Sequence, residues 1–74
     1  MFARITLPAA NDRATRLNWA AERLADLAEG LLTAAEGEYA LTAVIGWTDL
    51  CSDSDRAAYC VAASQLKSLI NDLA

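Results

Sequence analysis

The chain has 74 residues, 55% of them apolar, and its six basic and ten acidic side chains leave a formal net charge of −4. That length allows a single domain with a thin hydrophobic core, so stabilisation by self-association is a standing expectation. The acidic balance argues against nucleic acid and against anionic membranes as partners, because both are held by clustered Lys and Arg.

Ala supplies much of the apolar fraction and the one proline is Pro8, a composition that favours packed helices over sheet or disorder. The expected fold is all-α, a helical hairpin or three-helix arrangement completed by dimerisation. Residues 1–7, MFARITL, read as an arm, and Pro8 suits the first turn of a helix, where its missing N–H would be unpaired anyway. No apolar run in MFARITLPAAND is long enough for a signal peptide, and no segment approaches the length of a bilayer crossing. A cytoplasmic location is the expectation, with Cys51 and Cys60 as free thiols.

Helix one is predicted over residues 8–36. Leu17, Ala20, Leu24, Leu27, Leu31 and Ala34 recur at alternating steps of three and four, and Ala21, Ala28 and Ala35 widen the stripe with small residues that let another helix come close. Gly37 is the predicted left-handed cap, with Gly30 a weak point in the last turns. At about 100° per residue, Trp19 falls away from this stripe, among Glu22, Arg23 and Asp26. One reading lays its ring over the stems of Arg16 and Arg23 with a cation–π contribution. The sharper reading makes Trp19 a partner-binding residue with Arg16, Arg23 and Asp26 as a polar rim, since Trp and Arg dominate binding hot spots.

Residues 38–51 are apolar nearly all round, with Val44, Ile45 and Trp47 pointing in different directions if helical. A buried helix is predicted, and the β-branched content makes a short strand the competing reading. The polar run SDSD, residues 52–55, offers Ser52 or Asp53 as an N-cap, and the last helix is predicted over 54–73. Tyr59, Leu66, Leu69 and Ile70 form its apolar face. With Leu17, Leu24, Leu27, Leu31, Val44, Ile45 and Trp47, these are the residues expected to make the core or a dimer contact.

No enzyme chemistry is expected. There is no histidine, which removes a Ser-His or Cys-His nucleophile pair from the chain. Two cysteines nine apart do not make a zinc site, and Asp53 and Asp55 lack the glycine and terminal Glu of an EF-hand loop. Neither a cofactor nor a metal is predicted. Asp53-Ser54 resembles the Asp-Ser-Leu attachment motif of acyl carrier proteins, but Asp55 stands where the Leu belongs.

The blocks LNWAAERLADLAEGLL and DRAAYCVAASQLKSLINDL, in a short acidic chain, resemble in style the small phage-encoded helical proteins that disable host machinery, such as quorum-sensing anti-activators and anti-CRISPR proteins. The resemblance implies inhibition by occupying a partner's functional surface, and it transfers no site residue by position. A non-enzymatic protein-binding module is therefore predicted, homodimeric and directed at a partner with a basic surface. Immunity proteins, antitoxins and secretion chaperones form the alternative class.

Overall fold

The computed structural model describes residues 6–8 and 12–73. Three helices follow in chain order: α1 over Arg13–Ala28, α2 over Ala34–Leu50 and α3 over Asp53–Leu73. Among the described residues there is no strand. The apolar middle segment is thus the helix α2, and the strand reading fails for want of any partner to pair with.

The starts of α1 and α2 are set by local side-chain chemistry. Asp12 caps α1, its carboxylate accepting from the Thr15 amide at 2.9 Å and from the Thr15 hydroxyl at 2.8 Å. The expected start at Pro8 is therefore corrected, since Pro8 is described as non-helical and the first unpaired amides are satisfied from Asp12. The amide bond from Thr15, and secondarily its hydroxyl, hold the Asp12 carboxyl below its ordinary value of 3.8. A depressed folded pKa adds stability above the unfolded value and loses it as pH falls through the folded one. Acidification below 3.8 should therefore lower the melting temperature less in Asp12→Asn than in the native chain, which thermal melts across that range would read.

The predicted single helix over 8–36 is divided in two. After Ala28 the chain makes a Schellman motif: the Gly30 amide donates to the Leu27 carbonyl at 3.2 Å and the Leu31 amide to that of Asp26 at 2.8 Å. Gly30 sits at φ +79°, a left-handed conformation that only glycine adopts without a Cβ penalty. The left-handed cap is therefore Gly30, and the expectation for Gly37 is corrected. Three residues on, Thr33 and Glu36 form a reciprocal capping box, the Thr33 amide donating to Glu36 Oε1 at 2.9 Å and the Glu36 amide to Thr33 Oγ1 at 3.2 Å. The two signals together stop one helix and start the next.

Cys51 and Ser52 alone separate α2 from α3, so these helices are antiparallel neighbours. The Ser52 carbonyl accepts from the Arg56 amide at 3.0 Å, which places Ser52 just ahead of the helix, as the SDSD run predicts. Arg56 also reaches back, donating from Nε to the Thr48 carbonyl at 3.1 Å and from its terminal nitrogen to Asp53 at 2.6 Å. A guanidinium on the last carbonyls of α2 complements the negative end of that helix. Arg13 lies 3.6 Å from Asp55, joining the starts of α1 and α3, and these two helices run in the same direction and pack against each other as well as against α2.

The buried core consists of Trp19, Ala20 and Leu27 from α1, Ala40 and Val44 from α2, and Tyr59, Leu66 and Ile70 from α3. Gly37, buried in α2, is a point of close approach. A Cβ there would stand 3.0 and 3.1 Å from the two Leu27 methyls and 3.2 Å from Ile70 Cγ1. Gly46, exposed on the same helix, would meet nothing within 4 Å. Gly46→Ala should therefore keep the full helix-propensity gain of about 0.5–1 kcal/mol. Thermal denaturation would show it as a rise in Tm of about 2–8 °C.

Candidate protein-binding surface

Trp19 anchors a run of aromatic contacts where the three helices meet. Its ring meets Trp47 edge-on at 5.5 Å between centroids, and Trp47 meets Tyr59 at 6.0 Å. Trp19 Nε1 donates to the Thr6 carbonyl at 2.7 Å, which gives the buried indole its polar partner and ties residues 6–8 to α1. With Trp19 only 5% exposed, its predicted outward position is corrected. Two neighbours at different azimuths explain the burial: α1 turns Leu17 and Leu24 towards α3 and Trp19 towards α2, so its apolar arc is far wider than the Leu stripe.

Of the predicted rim residues, only Arg23 is placed over Trp19; Arg16 lies over Trp47, and the two together cover the core. The Arg23 guanidinium lies 5.5 Å from the Trp19 ring centroid, and that of Arg16 lies 5.0 Å from the Trp47 centroid. Arg23 is held in place by Asp26, with nitrogen–oxygen distances of 3.0 and 3.1 Å. The carboxylate fixes the cation over the ring, and the arginine stems shield the aromatic edge from water.

Of the residues expected to pack, Leu27, Val44, Tyr59, Leu66 and Ile70 are buried, and Leu17, Leu24, Trp47 and Leu69 are packed against them in part. Leu31 and Ile45 are not in this core; they are exposed by 54% and 48%. Leu31 leaves the stripe because the chain has already turned at Gly30. Ile45 lies about 100° round α2 from buried Val44.

A groove of about 340 Å³ lies open between α1 and α3, lined by Leu17, Ala21, Leu24, Ala58, Val61 and Gln65 among others. It continues past Leu24 and Gln65 to Leu69 and Asp72. Val61 is 58% exposed. The sequence carried a signal for it, since Val61 falls among Ser64, Gln65 and Ser68 in helical projection, an apolar residue on a polar face of the kind sought at Trp19. Leu50, 81% exposed at the end of α2, is a second apolar residue that the periodicity did not single out.

Among the described residues no group of three or more His, Cys, Asp or Glu side chains is placed to hold a metal ion. No described helix is long and apolar enough to cross a membrane. Cys51 and Cys60 are free thiols. No protein-family model, curated protein or solved structure matches the chain.

Proposed function

We propose that this chain is a small non-enzymatic protein-binding module that inhibits or sequesters a partner protein by stoichiometric contact. The observation that supports the reading is the apolar groove left open between α1 and α3 after the three helices have packed. Small side chains on its walls admit the close approach of another helix, and a contiguous apolar recess is the usual ground for a protein contact. The net charge of −4 favours a basic partner surface, and a host regulator is the partner class that the resemblance to phage-encoded inhibitors suggests.

Affinity capture from the native cell with mass spectrometry, followed by calorimetric titration of the captured protein, tests this. The expected result is saturable binding at a fixed ratio, weakened by salt. Turnover of a substrate by the pure chain, or tight salt-dependent binding to DNA, would overturn it.

A further inference from the structure

The Trp19 indole is buried, with Trp47 against it and the Arg23 guanidinium over its ring. Its Nε1 donates to the main-chain carbonyl of Thr6 at 2.7 Å. Among the described residues this is the one hydrogen bond between residues 6–8 and the helices. The side chains of that segment bury little: Thr6 is exposed, Leu7 is 49% exposed and Pro8 is half-buried. A buried donor has to be paired, and here its partner comes from a segment whose own side chains stay largely in water.

We infer that residues 6–8 are a displaceable strap, and that the seat they occupy at Trp19 takes an extended, proline-bearing segment of a partner protein. This is a contact surface apart from the groove between α1 and α3, since neither Trp19 nor residues 6–8 line that groove. The donor reads a main-chain carbonyl, which every segment offers, so the seat selects backbone shape before side chain. Pro8 sets that shape. Its ring fixes its own φ and keeps Leu7 out of the helical region, so the segment docks already extended and loses little entropy. Aromatic surfaces take proline-bearing segments in this form, and the donor belongs to a row of three rings, Trp19, Trp47 and Tyr59. A partner segment that buries what Thr6 and Leu7 leave in water makes the same hydrogen bond and gains apolar contact besides.

The advantage of the strap is its tether. Joined to the start of α1 by a short connection, it stands at its seat at an effective concentration of about a millimolar. A free peptide of the same sequence makes only the contacts that the strap gives up, so it should displace half of the strap at about that concentration.

Heteronuclear NMR of the full-length chain, titrated with the free peptide RITLPAA (residues 4–10 of the sequence), tests the inference through the indole Nε1–H resonance of Trp19. That resonance should shift saturably with a midpoint of about a millimolar, with the helical circular dichroism unchanged. Pro8→Gly, which loosens the strap and leaves the seat intact, should lower the midpoint about two- to fivefold. The same peptide with glycine in place of its proline should raise it by a similar factor. An indole signal that does not respond at tenfold above the expected midpoint, a response matched by a peptide of scrambled sequence, or one that comes only with loss of the helical dichroism would each overturn the inference. The last result would mean that strap and core open as one unit.

Discussion

Trp19→Ala should cost about 3–5 kcal/mol of folding stability, the range for removing a large buried aromatic. The ring is 5% exposed, meets Trp47 at 5.5 Å and supplies the donor for the Thr6 carbonyl, so truncation opens a cavity and removes that donor at once. At roughly 0.05–0.15 kcal/mol per residue, a chain of this length holds only about 4–11 kcal/mol in all. Urea denaturation at low temperature is therefore the suitable measurement, because the variant will already be partly unfolded at physiological temperature. Trp19→Phe divides the loss: the ring contact survives and the Nε1 donor does not, so its cost should be nearer 1–2 kcal/mol. If Trp19→Ala leaves stability unchanged and weakens only association, the burial of this side chain is wrong and the outward reading of Trp19 is restored.

Leu27→Ala is the second large effect, at about 2–5 kcal/mol. Leu27 is 1% exposed and lies beneath Gly37, whose missing side chain makes room for its methyls. The two positions should be strongly coupled. In the native background Gly37→Ala sets a Cβ within 3.0–3.2 Å of Leu27 and Ile70, and the crowding opposes the propensity gain. In the Leu27→Ala background two of those three contacts are gone, so Gly37→Ala should become stabilising. A double-mutant cycle should show an interaction energy of about 0.5–3 kcal/mol. Strict additivity would mean that α1 and α2 do not touch at this point.

The sequence made some of this structure legible because periodicity and capping agreed there. The last helix starts within one residue of the prediction, since SDSD followed by Tyr59, Leu66 and Ile70 combines a cap with a clear apolar face. The break between α1 and α2 was hidden because Leu31 and Ala34 continue the spacing of Leu17, Leu24 and Leu27. Apolar spacing alone extends the helix through Gly30, and only the Gly30 cap together with the Thr33–Glu36 box overrules it. Trp19 was misplaced for a related reason. A projection with one stripe assumes one neighbour, whereas α1 packs against two helices. The groove escaped because it belongs to two helices at once and is defined by how they are set side by side, which the periodicity of either strand of sequence does not contain.

The contact of Trp19 with Trp47 and of Trp47 with Tyr59 has an optical consequence. Both indoles of the chain and one of its phenols are held within 6.0 Å of a neighbouring ring, each ring coming from a different helix. Near-ultraviolet dichroism, which vanishes when fixed side-chain packing is lost, therefore comes chiefly from the junction of all three helices. The molecule carries its own unlabelled gauge of tertiary order at a single place, and a ligand that shifts any one helix against the other two will register there without a dye.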